Sequence, residues 1–427
     1  MNINNYKNQD RIKVAIAGSY ETDTGQKTST LIEQIENLPD IELTSYYCYD
    51  LGEAKKVLEK AGIFEKFSYL SLNKKQKKDI KRKFYTDHLE LFISNINYDT
   101  IIVSEINTEK AVEIIFKCLL QGKSVINLNA ISEITLGLIF KKIAEPGSIY
   151  SVGAGDEPAA TLQLIEFCQK LGLKIISAGK GKNNPINIYC TPEDFSEKAR
   201  EAGVSPKSIA SFVDGTKTML EMAILSNATG YPIDKTGMHG PQVNVKQLAE
   251  VFCSRRDGGI LNSVPAVDYA VGDVAPGVFV VFTSDQKSIL EELDYLKMGK
   301  GPNFVLYKPY HLGNIESPLS LYDVIFEEKP TLTIKNNFVS SVAGRAKKDL
   351  QKGELLDTAG GYTYSGLAVD FKLMKEKGYI PIGLLEGSRV KINIKKDQII
   401  TFDDVELNTN SIRYNLWKIQ ESLLQKI

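Results

Sequence analysis

Val14-Ala15-Ile16-Ala17-Gly18-Ser19-Tyr20-Glu21-Thr22-Asp23-Thr24-Gly25-Gln26-Lys27-Thr28 is the stretch on which the fold turns. A short run of small and β-branched apolar residues reads as a buried strand, and the polar segment between two glycines as the turn that leaves it. Residues 28–36 then place Leu31, Ile32 and Ile35 at helical spacing. The same unit recurs. Further β-type runs lie at residues 42–47, 100–104, 124–128 and 148–152, and helical patterns at 111–121 and 133–143. Strands that alternate with helices predict a parallel sheet with helices on both faces, a Rossmann-like α/β domain over residues 1–155.

The pattern continues into an α+β substrate domain expected over residues 156–329, with a helix at 160–171, an apolar strand at 173–176 and a helix at 215–228 that Gly230 and Pro232 terminate. Beyond Pro330 short β-rich pieces at 331–334, 338–343 and 390–394 follow one another without intervening helices. They predict a small β-rich domain over residues 330–427.

Composition bounds the partners. The chain has 427 residues, which implies two or three domains, and its 52 basic and 53 acidic residues leave no global field for nucleic acid or an anionic membrane. The basic cluster from Lys74 to Lys78 with Lys81, Arg82 and Lys83 reads as the wet face of a helix carrying Tyr69, Leu70, Ile80, Phe84 and Leu89. Five widely spaced cysteines, an odd number, fit a reducing cytoplasm, and no apolar run approaches the roughly 18 residues that span a bilayer. Three histidines without an H-E-x-x-H or clustered Cys/His spacing argue against a structural zinc site.

The residues that carry chemistry gather around Ser177-Ala178-Gly179-Lys180-Gly181-Lys182-Asn183-Asn184-Pro185. A strand that ends in a glycine-broken turn with two lysines would present cations to an anionic or carbonyl-bearing ligand; a solvated turn is the alternative. An amine desolvated beside a second amine has a lowered pKa and can exchange a proton. Asp214 and Lys217 stand three apart at a helix start, as a paired acid and amine or as an N-cap with an exposed lysine. Asp156 and Glu157 open another helix, where they could hold a cation, bind hydroxyls or complement the helix dipole. His239 and His311 sit in turn-like surroundings as acids, ligands or structural donors. Arg255 and Arg256 with Asp257 form a cationic turn or a structural ion pair.

At the other end of the chain, Gly18, Ser19 and Tyr20 follow the first strand, where a dinucleotide pyrophosphate sits in sheets of this kind. The turn lacks Gly-x-Gly-x-x-Gly, and Glu21 and Asp23 would repel a pyrophosphate. Asp50 after the second strand is placed to accept from an adenosine ribose, or to cap the helix over residues 51–60. Glu105 and Asn129 are further candidates on the cofactor side.

Five segments taken together resemble the homoserine dehydrogenase-like oxidoreductases with a C-terminal SAF domain, a group that includes deoxyxylulose phosphate reductoisomerase-like enzymes. They are Gly122-Lys123-Ser124-Val125-Ile126-Asn127-Leu128-Asn129; Gly155-Asp156-Glu157-Pro158; Ala178 to Asn183; Asp214-Gly215-Thr216-Lys217-Thr218 with Glu221-Met222 and Asn227-Ala228-Thr229-Gly230; and Gly299-Lys300-Gly301-Pro302-Asn303-Phe304 with Tyr307-Lys308-Pro309-Tyr310-His311-Leu312. The tail, with Ala343-Gly344-Arg345-Ala346 and Asp397-Gln398-Ile399-Ile400, resembles a SAF module. The resemblance implies NAD or NADP as cofactor, hydride exchange with a small hydroxy-carbonyl, polyol or sugar-phosphate substrate, and a homo-oligomer. It implies catalytic roles for Lys180, Lys182, Asp214 and Lys217, the last as a proton-transfer group. Substrate contacts would come from Asn183, Asp156, Glu157 and His311. The departing turn motif leaves two alternatives: an isomerase, lyase or epimerase without the redox cofactor, or a catalytically silent binder of small anions.

Overall fold

The computed structural model describes residues 11–22, 25–71, 83–94 and 97–424. Asp23 and the basic cluster up to Arg82 lie outside the described residues. The chain forms two compact units: residues 1–155, 312–333 and 410–427 make the first, and residues 156–311 and 334–409 the second.

The first unit contains β1 (Ile12–Gly18), α1 (Thr28–Glu36), β2 (Ile41–Tyr47), α2 (Leu51–Lys60), β3 (Ser68–Tyr69), β4 (Phe84–Thr86), α3 (Leu89–Ile93), β5 (Thr100–Ser104), α4 (Thr108–Leu120), β6 (Ser124–Asn127), α5 (Ala130–Ala144) and β7 (Tyr150–Val152). The seven strands form one sheet in the order β3-β4-β2-β1-β5-β6-β7, and every pairing is parallel. This is the expected Rossmann-like α/β sheet. Its strands read as continuous apolar runs because both faces are covered. On β1, Val14 and Ile16 enter one core cluster with Leu31, Ile35, Leu43, Val57 and Leu58, while Ala15 and Ala17 enter the other with Ile101, Val103, Ile115 and Leu136. The helix Ile412–Leu424 lays Leu416 into the second of these clusters, and Leu319–Ile325 lays Leu321 and Val324 into the first.

Tyr69 and Phe84, read from sequence as flanks of one helix, are instead strand residues of β3 and β4. Aromatic residues that also suit a pleated surface made the helical pattern ambiguous there. Lys83 pairs with Glu36 at 2.8 Å.

Strand order reverses between β1 and β5, so their carboxyl ends form the topological switch point, with Gly18 opposite Ser104. Gly18 is glycine for the sheet itself, because a Cβ there would lie 2.1 Å from Ser104 Oγ.

The second unit begins with α6 (Glu157–Lys170) and β8 (Lys174–Lys182), continues through α7 (Ser196–Ala202), α8 (Pro206–Val213) and α9 (Thr216–Thr229), and adds β9 (Ala266–Val271), β10 (Val278–Thr283) and β11 (Phe304–Lys308). These four strands make a mixed sheet in the order β11-β10-β8-β9. The β-rich segment contributes an antiparallel pair, β12 (Ser340–Ala346) with β13 (Tyr364–Asp370), against which α9 packs. α9 is buried almost all round. Such a helix belongs to a core, and its charged members need internal partners.

Among the described residues no helix is long and apolar enough to cross a membrane. The five cysteines are buried and unbridged.

Candidate functional site

The segment read from sequence as a lysine turn is strand. β8 runs on through Lys182, pairing with β9 from Ser177 opposite Ala266 to Lys182 opposite Val271. Gly-Lys-Gly-Lys is a period-two pattern, and successive residues face opposite sides of a sheet. Gly179 and Gly181 are there for close approach: a Cβ on Gly179 would lie 1.8 Å from Asp268 O, and one on Gly181 2.2 Å from Ala275 N. Lys180 and Lys182, two apart, therefore share a face, and both are buried.

Two neighbouring elements answer Lys180 with carboxylates. Its Nζ bonds Glu157 Oε1, from the first turn of α6, and Glu221 Oε2, from the middle of α9. Lys217, one turn before Glu221 on α9, lies 3.2 Å from Glu221 Oε1 and 3.5 Å from Asp156 Oδ1. Glu221 thus divides its oxygens between two ammoniums. The i,i+4 spacing from Lys217 was the available signal for it, and the sequence reading missed it. Asp156 stands at the N-cap position of α6 but makes no capping bond; its carboxylate lies toward Lys217.

The electrostatics follow from this geometry. Burial works to lower Lys180 and Lys217, yet the carboxylates around them hold both above the ordinary lysine value. Burial works to raise Glu157, and Lys180, Lys217 and His311 together hold it well below the usual carboxylate range. Asp156 stays raised by burial against the pull of Lys217. Burial, reinforced by the Glu157 charge, pushes Glu221 up to about 8.

Among the described residues Lys182 has no carboxylate in hydrogen-bond reach. Its Nζ donates to Phe212 O at 2.7 Å and to Asn184 Oδ1 at 3.3 Å. Burial first, and the neighbouring Lys180 charge second, push it down to about 8. Asn183, named from the sequence, is exposed, and Asn184 makes the contact.

Asp214 is not brought to Lys217. One of its oxygens accepts from Thr216 N at 2.8 Å and the other lies 2.7 Å from Lys347 Nζ. Lys347, on the β-rich segment, also donates to Cys190 O and Gly361 O. Burial raises Asp214, with Lys347 working against it.

His311 joins the cluster: its Nε2 lies 3.6 Å from Glu157 Oε1, and its Nδ1 lies 2.8 Å from Pro276 O. Asp156, Glu157 and His311 each offer one ligand atom, all within 4.8 Å of one another. His239 is held separately, with Nδ1 2.7 Å from Asp268 Oδ2 and Nε2 3.4 Å from Asp234 Oδ2. Arg255 donates to Ile260 O instead of forming the expected ion pair with Asp257.

The cofactor-side candidates all lie at the carboxyl edge of the first unit's sheet. Asp50 caps α2 by accepting from Glu53 N at 2.7 Å and is exposed. Ser19 Oγ accepts from Ile106 N and donates to Glu21 O, while Asn129 caps α5 and donates to Glu105 O. Glu105 is buried, which raises it, and accepts from Asn107 N. After β1, the N–H of Tyr20 donates to Glu53 of α2, and those of Thr22, Gly25, Gln26 and Thr28 donate within the turn, to Gln26, Thr22, Thr22 and Tyr20 respectively. These five N–H groups are already taken, so a pyrophosphate resting on them does not fit. The cations on this side are the ammoniums of Lys56 and Lys60, over the Tyr20 ring at 4.2 and 4.9 Å, and Lys60 Nζ also donates to Tyr20 Oη. The free oxygen of Asp50 fits a ribose hydroxyl.

No curated protein matches the sequence. Among solved structures, a probable dehydrogenase from Thermotoga maritima is 10% identical with a TM-score of 0.43, covering 75% of this chain and 90% of that one. A scyllo-inositol dehydrogenase from Lactobacillus casei, solved with NAD(H) and scyllo-inositol, is 10% identical with a TM-score of 0.42 over 75% of this chain and 91% of that one. Likeness at this level carries no argument. The family model for the catalytic domain of oxidoreductase DRL matches residues 155–317, which span Asp156, Glu157, Lys180, Lys182, Lys217, Glu221 and His311. The buried charge cluster thus lies within the stretch that this family model matches, and the match supports an oxidoreductase enzyme.

Proposed function

We propose that the protein is an NAD(P)-dependent oxidoreductase of the homoserine dehydrogenase-like type, acting on a small hydroxy-carbonyl, polyol or sugar-phosphate compound. The observation that carries this is the contrast inside the matched domain: Lys180 and Lys217 are amines fixed as cations by carboxylates, while burial and the Lys180 charge lower Lys182 to about 8. Fixed cations suit a substrate oxygen that gains negative charge, because they need no reorganisation as the charge develops. An amine whose pKa lies near the working pH suits the proton transfer that accompanies it.

The bound dinucleotide supplies hydride transfer, which is the redox chemistry itself. The rest falls to this chain. When the substrate alcohol is oxidised, Lys182 Nζ takes the hydroxyl proton, and in the reverse direction it returns that proton to the carbonyl oxygen. Lys180 and Lys217 hold the oxygen, and Asp156 with Glu157 fix the lysines. The dinucleotide would be held by Asp50 through its ribose and by Lys56 and Lys60 through its phosphates. We further propose the three-part organisation over residues 1–155, 156–329 and 330–427, the last SAF-like, in a cytoplasmic homo-oligomer.

Calorimetric titration with NADH and with NADPH tests the cofactor assignment, using Lys56→Ala/Lys60→Ala as the control. Micromolar binding in the parent that is lost in the control supports it. The occupied N–H groups after β1 favour a second reading, a non-redox isomerase, lyase or epimerase or a binder of small anions. Absence of binding at millimolar cofactor would establish that reading instead.

A further inference from the structure

We infer that Lys347, in the β-rich segment, is a positioning residue for Lys182: its ammonium pins together the two stretches of chain that hold the Lys182 amine. The inference rests on the proposed function only for the proton that Lys182 would carry, not for how Lys182 is held.

The two acceptors of Lys182 Nζ lie outside β8. Phe212 O belongs to the last turn of α8, and Asn184 Oδ1 opens the stretch that follows β8. These stretches are bonded to each other, from Asn187 N to Val213 O at 2.9 Å and from Cys190 Sγ to Ala210 O at 3.6 Å. Lys347 Nζ sits across the same junction. It lies 2.7 Å from Asp214 Oδ2 on the α8 side, donates to Cys190 O at 3.0 Å on the other, and reaches Gly361 O in its own segment at 2.8 Å. An ammonium has three donors, and here each has an acceptor.

Two further contacts bring the β-rich segment to this junction. Gly366 N of β13 donates to Thr216 Oγ1, at the start of α9, at 2.8 Å. Gly360 approaches α8 so closely that a Cβ there would lie 2.2 Å from Lys207 O. The end of α8 is therefore set by residues far later in the chain. Phe212 makes that placement matter twice, because its carbonyl accepts from Lys182 while its ring lies 4.4 Å from Lys217 Nζ.

Lys347 also settles the charge that Lys182 meets. The titratable groups acting on Lys182 are Lys180 beside it on β8, Asp214 at the α8–α9 junction, Glu221 on α9 and the Cys190 thiol. Glu221 is answered by Lys180. Asp214 has its partner in Lys347, so its pull on Lys182 is offset only while that pair is intact.

Carbon-13 NMR of the full chain, labelled in its lysines, follows the titration of Lys182, whose signal is assigned by its loss in Lys182→Arg. The parent midpoint should lie at about 8. Lys347→Met should raise it by about half a pH unit or more, because Asp214 is left an unpaired anion. Asp214→Asn should lower it, because Lys347 is left an unpaired cation. A site that merely loosens admits water and raises the midpoint in both variants. Shifts of the same sign, or a midpoint that neither variant moves, would overturn the inference. Asp214→Asn is nearly isosteric and keeps the bond from Thr216 N, so it decides alone if Lys347→Met does not fold. A midpoint that falls in that variant supports the inference, and one that stays or rises overturns it. No cofactor or turnover enters these titrations, so a failure of NADH and NADPH to bind leaves the result unaffected.

Discussion

Lys180 and Lys182 stand two apart on one face of β8, yet the structure gives them different partners: Lys180 lies between Glu157 and Glu221, whereas Lys182 meets a carbonyl and an amide. The two carboxylates keep Lys180 cationic, while burial, and the Lys180 charge after it, make Lys182 exchangeable.

Oxidation of the alcohol substrate should therefore gain rate as pH rises through about 8, where the neutral amine of Lys182 becomes available to take the proton. Lys182→Ala should abolish turnover without unfolding the protein, and Lys182→Arg should remove the pH limb because arginine stays charged. The linked effect on stability has a definite sign. The folded pKa lies below the unfolded value of about 10.4, so the unfolded chain binds the proton more tightly and stability rises between about pH 8 and 10.4. A pH–rate profile with the same limb in Lys182→Ala would remove this residue from the chemistry.

Gly179→Ala should destabilise the second unit by about 1–3 kcal/mol or more, because the added methyl must push aside a main-chain oxygen. The ideal Cβ lies 1.8 Å from Asp268 O, and backbone in a sheet gives little. Thermal melts decide it. A variant as stable as the parent would mean that these glycines serve a turn, as the sequence first suggested.

That pair of glycines shows what the sequence could and could not disclose. The parallel sheet was legible because buried strands and amphipathic helices alternate with unmistakable periods, and the expected helix over residues 28–36 is α1. Gly-Lys-Gly-Lys misled because glycine and lysine both favour turns, while the strand period of two is masked when one face has no side chains. Lys180, Lys182, Lys217, Asp156, Glu157 and His311 were all named from sequence, and β8, α6, α9 and the segment after β11 place them together. Lys347 was missed because its partner is far along the chain, and Glu221 although its i,i+4 spacing from Lys217 was visible, because its second partner, Lys180, lies on another element. Asp214 was joined to Lys217 by sequence distance, but its charge partner comes from Lys347, over a hundred positions away.

Removing that partner should expose the cost of a lone buried acid. Lys347→Met leaves Asp214 without its ammonium, and losing one member of a buried pair costs about 3–5 kcal/mol. Asp214 is already raised by burial, and the substitution raises it further. A carboxyl with a raised folded pKa contributes its full stability below the unfolded value of about 3.9 and loses it as pH rises toward the folded value. The melting temperatures of variant and parent should therefore lie closest in acid and separate toward neutral pH. A gap that stays constant with pH would mean that Lys347 acts through its bonds to Cys190 O and Gly361 O and not through charge.

Asp50 separates the cap from the cofactor contact. Its carboxylate spends one oxygen on Glu53 N, so Asp50→Asn keeps the cap while losing the charge, and Asp50→Ala loses both. If a ribose binds the other oxygen, both variants should weaken NADH binding by tenfold or more. Only Asp50→Ala should lower the melting temperature, by the equivalent of about 1 kcal/mol. Calorimetry and melts on the two variants read the effects apart. A dinucleotide affinity that Asp50→Asn leaves unchanged would make Asp50 a helix cap alone and move the cofactor's ribose away from the end of β2.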